Sequence, residues 1–180
     1  MIVTIHQPNF FPHMGFFDKM RDADIFVILT HCQYEKNGYQ NRFNMGDKWY
    51  TMSTNKGLEP IRNKRYLNPA EDWNRIKVNA QHEILDSFDN CISESLMHTN
   101  TEIISRIARI LGITTRIVFD HATELKGTER LVDICKKYNA KTYLSGPSGA
   151  KYMDLGLFTE AGIAVHFQES KPSKPILECL

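Results

Sequence analysis

Residues 2–29 carry the sequence IVTIHQPNFFPHMGFFDKMRDADIFVIL, and this stretch decides the fold. The apolar run Ile2–Ile5 is typical of a buried strand, and Ile25–Leu29 is a second run of the same kind. Between them, the apolar residues of GFFDKM recur at helical spacing, which predicts a short helix over Gly15–Ala23. Strands that are apolar throughout favour a parallel sheet covered on both faces. The segment therefore predicts one strand–helix–strand unit.

Length, charge and cysteine spacing limit the function classes open to this chain. Its 180 residues predict a single α/β domain spanning 1–180. The net charge is +1 and the densest basic stretch, RNKRY at 62–66, is short, which argues against a nucleic-acid partner. No apolar run approaches the roughly 20 residues of a membrane helix, and no leader-like start is visible, so we expect no membrane span and a cytoplasmic location. The four cysteines form no CxxC pair, so no metal site is predicted.

The rest of the chain continues the alternation of strands and helices. The predicted elements are, in chain order, an inserted polar loop or hairpin over 32–48, a strand over 48–53, a helical middle region over 70–111 with one helix over 73–86, a strand over 116–120, a helix capped by Thr128, a strand in KTYLSG at 141–146 and a strand over 162–167. Within the middle region, Thr99 and Glu102 have the Thr-x-x-Glu form of a capping box. The alternation predicts an open, mostly parallel, Rossmann-like α/β sheet with helices on both faces.

Polar residues follow two of the predicted strands. Ligands of open α/β sheets bind beyond the carboxyl ends of the strands, so the segment after the first strand and the SGPSG loop at 145–149 should meet at one edge. His6 and His13 are the candidate catalytic residues, and the free N–H groups of a helix that begins at Gly15 favour an anion. The predicted nucleotide or phosphate contacts are Gln7, Asn9, Gly15, Ser145, Gly146, Ser148, Gly149 and Lys151. The alternative is that the glycine loop is only a turn and that the histidines satisfy strand ends.

The polar insertion is the candidate for substrate recognition. An arginine can form a bidentate contact with a carboxylate or phosphate, and amide side chains suit the hydroxyl groups of a sugar. The predicted substrate contacts are Lys36, Asn37, Asn41 and Arg42. The alternative is a solvent-exposed hairpin with its turn at Asn37-Gly38, a pair that is typical of two-residue turns.

Four segments carry a resemblance to a known family. They are HQPNFFPHMGFFDKMRDADIFVIL at 6–29, QYEKNGYQNR at 33–42, YLSGPSGAKYMD at 143–154 and GIAVHFQ at 162–168. In this order they resemble signatures of the WbqC-like family of bacterial proteins. The resemblance implies a role in the biosynthesis of surface polysaccharides, in particular the O-antigen of lipopolysaccharide, where amino sugars receive acyl or amino-acid-type groups.

A looser resemblance concerns PHMGFF at 12–17, which is similar to the HxGH signature of the nucleotidyltransferase superfamily. His13 and Gly15 match the first two fixed positions, and Phe16 stands where the second histidine belongs. The resemblance implies a nucleotidyltransferase-like (HUP-type) sheet with a nucleotide at its carboxyl edge. In that superfamily the second histidine helps to stabilise the phosphoryl transition state, and this chain lacks it.

Together the two resemblances imply a transferase or ligase that uses ATP with magnesium to activate a small carboxylic acid. The acid would then be joined to the amine of an amino sugar or sugar nucleotide. In this hypothesis His6 is the general base, with an ordinary pKa of about 6.5, and His13 contacts phosphate. Two alternatives stay open: nucleotidyl transfer to a sugar phosphate, and non-catalytic binding of a sugar nucleotide. The expected partners are small molecules, and a homodimer is compatible with a chain of this size.

Overall fold

Five parallel strands form the central sheet of the computed structural model, which describes residues 1–169 and 174–180. In chain order the strands are β1 (Ile2–His6), β2 (Ile25–Ile28), β3 (Arg42–Met45), β4 (Lys48–Thr51), β5 (Arg116–Phe119), β6 (Thr142–Ser145) and β7 (Ala164–Phe167). The α-helices are α1 (Met14–Arg21), α2 (Pro69–Ala80), α3 (Leu96–Ile110), α4 (Gly127–Lys137) and α5 (Leu155–Glu160). Short 3-10 helices span Ile61–Asn63, Glu83–Cys91, Pro147–Lys151 and Ile176–Glu178.

The strand order of the central sheet is β5-β2-β1-β6-β7, and all four pairings are parallel. The chain first moves from β1 outward to β2 and β5, and it then crosses to the other side of β1 for β6 and β7. The direction of the crossovers therefore reverses between β1 and β6, which are neighbours that pair Thr4 with Leu144. Such a reversal leaves a crevice at the carboxyl ends of the strands. The prediction of an open, parallel, Rossmann-like sheet is confirmed.

Apolar side chains cover both faces of this sheet. Phe26 and Val27 follow one another in β2, so their side chains point to opposite faces. Phe26 belongs to a core that includes Phe17 of α1 and Ile104 of α3, whereas Val27 belongs to a second core that includes Phe158 of α5. Helices thus lie on both faces, as the continuous apolar strands predicted.

The loop after β1 is held in place by its own phenylalanines and by a buried asparagine. Phe10 and Phe11 are almost fully buried, and the Phe11 ring stacks on Trp73 at 5.8 Å between centroids. The Asn100 Nδ2 group of α3 donates hydrogen bonds to the carbonyl oxygens of Pro8 (2.8 Å) and Gln40 (2.7 Å). Because buried backbone carbonyls need donors, these contacts give the polar loop one defined path.

The insertion over 32–48 ends in β3 and the turn of a hairpin, and this turn is not at Asn37-Gly38, where the alternative interpretation placed it. β3 and β4 pair Met45 with Lys48, so the two-residue turn is Gly46-Asp47. Gly46 has a φ of 54°, the left-handed conformation that such turns require. Asn37 also has a positive φ, 65°, but it lies in an irregular stretch ahead of β3.

Two predicted helix caps were also wrong. Helix α3 begins earlier than predicted, and its N-cap is Ser95, whose hydroxyl oxygen accepts the His98 N–H at 3.3 Å. Thr99 lies inside the helix, fully buried, because the apolar face already starts at Leu96. Thr128 is the second residue of α4, and its hydroxyl oxygen accepts the N–H of Asp154 (3.0 Å), which ties α4 to the start of α5.

The other predicted elements outside the middle region agree with the structure to within about two residues. Helix α2 ends at Ala80, well short of the predicted residue 86, because Gln81 adopts a left-handed conformation with φ 50°.

Within residues 1–169 and 174–180, no helix is long and apolar enough to cross a membrane.

Candidate functional site

A cleft of about 890 Å³ opens at the carboxyl edge of the sheet, beside the switch point between β1 and β6. Its lining residues are His13, Met14, Gly15, Asp18, Arg21, Asp22, Leu144, Pro147, His166, Phe167, Gln168, Glu169, Lys174 and Cys179. The start of α1 and the loop after β6, which lie more than 120 residues apart in the sequence, therefore face one cleft. This is the meeting of segments that the strand pattern predicted.

The start of α1 is bound by residues from the end of the chain. The Met14 N–H donates to the carbonyl oxygen of Lys174 at 3.0 Å, and the Gln168 Nε2 group donates to the carbonyl oxygen of Gly15 at 2.9 Å. The Gln168 N–H in turn donates to the carbonyl oxygen of Ser145, which extends the pairing of β6 with β7. A phosphate at the Met14 amide would have to displace Lys174. Gln168 carries no sequence signal that would have singled it out.

Opposite charges are nearly balanced in the cleft. Three carboxylates line it, those of Asp18, Asp22 and Glu169, against the cations of Arg21 and Lys174. Asp18 is paired with Arg21 at 2.9 Å. A bare triphosphate would therefore meet no net positive field, unlike in most phosphate sites.

Magnesium at this cleft would need ligands from a bound phosphate as well as from the protein. Among the described residues, no group of three or more His, Cys, Asp or Glu side chains could hold a metal by itself. Magnesium in nucleotide sites is bound by substrate phosphates plus one or two carboxylates. Asp18 and Asp22 lie one helical turn apart on the cleft wall and fit that role.

The two candidate catalytic histidines differ in environment. His13 lies at the N-cap position of α1, is exposed to solvent and lines the cleft. Partial desolvation of its ring by the surrounding protein and the charge of Lys19 lower its pKa, and the charge of Asp18 opposes this shift. His6, at the end of β1, packs its ring edge against Phe16 at 4.8 Å. Burial, with the Lys19 charge, lowers the pKa of His6 to about 3, far from the ordinary value on which its predicted role as a base rested.

Lys19 is a buried lysine that the sequence analysis missed. Its side chain is 4% exposed, and its Nζ donates to the carbonyl oxygen of Ile5 at 3.2 Å. In the described part of the chain no carboxylate pairs with it, and burial lowers its pKa to about 7. The signal was present: Lys19 lies three residues after Phe16, on the apolar face of α1.

Close packing explains why position 149, in the loop after β6, is a glycine. Ser145 is 1% exposed, and its hydroxyl donates to the carbonyl oxygen of Gly146 at 3.1 Å. A Cβ on Gly149 would lie 2.1 Å from that hydroxyl oxygen, so only glycine fits there. Ser148 and Lys151 are exposed and are not among the residues that line the cleft. These five residues stay predicted contacts, with a turn as the simplest role for the loop.

The remaining predicted contacts lie on the hairpin side of the loop after β1. The Gln7 side chain is engaged there: its Oε1 accepts from Gln40 Nε2 at 2.5 Å, and its Nε2 donates to Cys32 Sγ at 3.6 Å. Asn9 is buried, and the Asn41 Nδ2 group donates to the Met52 carbonyl oxygen at 2.7 Å. Asn41 therefore holds the local fold, and Asn9 stays a predicted contact.

The exposed part of the insertion presents an aromatic and cationic surface. Tyr39 and Trp49 are 52% and 48% exposed, and their ring centroids lie 5.7 Å apart. The Arg42 guanidinium lies 4.5 Å from the centroid of the Trp49 ring and donates to the carbonyl oxygens of Asn37 and Gly38. Lys36 and Asn37 are exposed beside it. None of these residues lines the cleft, so their role in substrate binding stays a prediction.

Comparisons with known proteins agree with the resemblance seen in the sequence. The profile of the WbqC-like protein family matches residues 7–175. "Uncharacterized protein Rv1507c" of Mycobacterium tuberculosis is 32% identical in an alignment of 185 positions, gaps included, that covers 91% of this chain and 80% of that protein. Among solved structures, the Zn(II)-bound form of an AdcAII variant from Streptococcus pneumoniae aligns with 98% of this chain and 93% of that one, at 13% identity and a TM-score of 0.26. That TM-score is too low to bear on the fold. The family match and the M. tuberculosis relative place the chain in the WbqC-like protein family.

Proposed function

We propose that this protein forms an amide on an amino sugar or sugar nucleotide during the synthesis of a bacterial surface polysaccharide. In the first step a carboxylate attacks the α-phosphorus of ATP, and pyrophosphate leaves. In the second step the amine attacks the carbonyl carbon of the acyl-adenylate, the C–N bond forms, the C–O bond to AMP breaks and one proton is released. Both transition states develop negative charge, which positioned donors stabilise.

The observation that carries the proposal is the cleft at the switch point. Its volume of about 890 Å³ lies within the usual range of roughly 300–1,000 Å³ for small-molecule sites. It brings a histidine and a helix start, His13 and Gly15, together with residues that follow β6 and β7, at the place where open α/β sheets bind their ligands.

The cleft residues divide into two groups in this proposal. His13 and the first turn of α1 would contact phosphate oxygens, with Lys174 close by as a cation. Asp18 and Asp22 would add carboxylate ligands to the magnesium that accompanies ATP. His6 is assigned no role as a base, because its low pKa makes it a poor proton acceptor at neutral pH.

Non-catalytic binding of a sugar nucleotide is the second candidate. The observation that favours it is the state of His6, which is covered by Phe16 and is neutral at any pH near 7. Nucleotidyl transfer to a sugar phosphate would use the same cleft and is separated from amide formation by its products.

A thermal-shift screen with and without magnesium tests the proposal. The panel is ATP, UDP-sugars, dTDP-sugars and GDP-sugars, each at about 100 times its Kd where binding is found. Such saturation adds about 2.7 kcal/mol, or roughly 5–10 °C for a chain of this size. We expect ATP to stabilise the protein only with magnesium, and the His13→Ala variant to lose the shift. His98→Ala removes an exposed histidine from α3, away from the cleft, and should keep it.

Product analysis then separates the candidates. Incubation with ATP, short carboxylic acids and amino-sugar nucleotides should release pyrophosphate and AMP together with an amide. A new nucleotide sugar would indicate nucleotidyl transfer, and tight binding of a sugar nucleotide without ATP turnover would indicate a binding protein. Stabilisation by none of the nucleotides would contradict the assignment of the cleft.

A further inference from the structure

A second polar cluster lies along the same edge of the sheet, beyond the ends of β2 and β5. Asp120 follows β5 and accepts hydrogen bonds from the Thr30 N–H (2.8 Å) and hydroxyl (2.9 Å) that follow β2. The His31 Nδ1 atom lies 3.0 Å from Asp120 Oδ1. Arg130 of α4 pairs with the other carboxylate oxygen. The cluster lies outside the cleft described above, because none of its members is among the residues that line the cleft.

The Asp120 carboxylate selects the tautomer of the His31 ring. Burial would raise the pKa of Asp120, but the hydrogen bonds from His31 and Thr30 and the charge of Arg130 outweigh it and hold the pKa below its ordinary value. An ionised carboxylate can only accept, so His31 Nδ1 carries its proton and Nε2 presents a lone pair. A carboxylate that orients a histidine in this way is a recurring arrangement in proton-transfer sites.

Two arginines add donors for an anion beside this histidine. Arg62, exposed in the 3-10 helix Ile61–Asn63, places Nη1 at 2.7 Å from His31 Nε2. Arg130 is 8% exposed, and among the described residues its Nε is buried with no hydrogen-bond partner. A buried donor without an acceptor is uncommon in proteins and indicates a missing water or ligand atom. Arg62 and Arg130 therefore have donor capacity that the protein itself does not use.

We propose that Arg62, beside the His31 ring that Asp120 orients, binds an oxyanion group of the substrate. The inference rests on the proposed function and names as the ligand class an anionic substrate, such as an amino sugar with a phosphate or carboxylate. When Arg62 turns to the oxyanion, its hydrogen bond to Nε2 of His31 is released.

The rival role for the cluster is purely structural. The Asp120 carboxylate accepts hydrogen bonds from Thr30, His31 and Arg130, and so it connects β2, β5 and α4 whatever His31 does. Substitution of Asp120 would therefore disturb the fold under either role. Arg62 is exposed and His31 is half-buried, so Arg62→Gln and His31→Gln test the proposal without removing the carboxylate.

NMR of protein labelled with ¹⁵N and ¹³C in histidine tests the anion site directly. The seven ring signals include His31, which is assigned from its absence in His31→Gln. Inorganic phosphate, pyrophosphate and acetate are the probes, each titrated at constant ionic strength. We expect a saturable shift of the His31 signal and at least about 10-fold weaker binding in Arg62→Gln, since hydrogen bonds to charged groups are the stronger ones. A response to the phosphates alone or to acetate alone identifies which oxyanion the site takes.

His121 supplies a matched control in the same spectrum. It lies next to Asp120 in the chain and places Nε2 at 2.9 Å from Asp133, but its Nδ1 faces Lys137 and no arginine. Its signal should not respond to the probes. An unchanged His31 signal with all three anions, or a shift that survives in Arg62→Gln, overturns the anion site whether or not an amide product is ever found.

Discussion

Replacement of Lys19 by methionine should make the protein more stable, although it removes a hydrogen bond. Lys19 is buried in α1 against the end of β1, and among the described residues its hydrogen bond goes to the Ile5 carbonyl oxygen. Methionine has a similar length, is apolar and adapts to the space left by the lysine. The substitution therefore changes the charge at this position far more than the packing.

The magnitude follows from the pKa of Lys19, which burial lowers from 10.5 to about 7. Above pH 10.5 the amine is neutral in both states and has no effect on stability. As the pH falls toward 7 the unfolded chain gains a proton that the folded protein does not, and the folded state loses about 4 kcal/mol by pH 7. Loss of the hydrogen bond to Ile5 costs about 1 kcal/mol. The expected net gain for Lys19→Met at pH 7 is about 3 kcal/mol.

Urea unfolding of both proteins at pH 7 and at pH 9 measures this effect. The wild type should gain about 2 kcal/mol relative to Lys19→Met between the two pH values, because about half of the free-energy penalty at pH 7 is gone at pH 9. Lys136→Met, at an exposed position of α4, is the matched control and should show neither change.

Two results would refute the reasoning. The first is a Lys19→Met protein less stable than the wild type at pH 7, which would mean that the ammonium is solvated or paired in solution. The second is a stability difference that does not depend on pH. If Lys19→Met is more stable as expected, the protein keeps Lys19 beside His6 and His13 although it lowers stability. Such a residue is expected at a functional site.

Three further outcomes are expected. Gly149→Ala should lower the free energy of unfolding by about 1–3 kcal/mol, because the new Cβ would overlap the Ser145 hydroxyl. Gly146→Ala is the control: its new Cβ would have open space around it, so the same urea assay should show little change. The pKa of His6 is lowered in the folded state, so protonation of its ring favours unfolding. Between pH 7 and pH 5 the free energy of unfolding of the wild type should fall by about 2 kcal/mol more than that of His6→Gln. Equal falls in the two proteins would contradict this. Ser95→Ala should lower the stability by about 1 kcal/mol through loss of the α3 cap, and an unchanged urea midpoint would show that Ser95 caps nothing in solution.

The sequence by itself determined the architecture and the position of the cleft. Apolar strands such as Ile25–Leu29 and the helical spacing around Phe16 are local patterns, and local patterns are enough to predict a parallel sheet covered on both faces. The rule that ligands bind at the carboxyl ends then placed His13 and the loop after β6 at one edge. The caps of α3 and α4 were predicted less well, although Thr99 and Thr128 have side chains that suit a cap. Tertiary packing places Thr99 inside α3, and the Thr128 hydroxyl binds the start of α5 instead.

Only the tertiary structure decided which polar groups are buried and which partners they have. Burial depends on contacts between distant segments, so no local pattern indicates that His6 packs against Phe16 or that Lys19 is buried with no carboxylate partner in the part of the chain that the structure describes. The cluster around Asp120 has the same origin: His31 and Arg130 approach one carboxylate only because β2 and β5 are neighbours in the sheet. The pKa of a side chain follows from that burial and those partners, which is why the chemistry of this edge had to be taken from the fold.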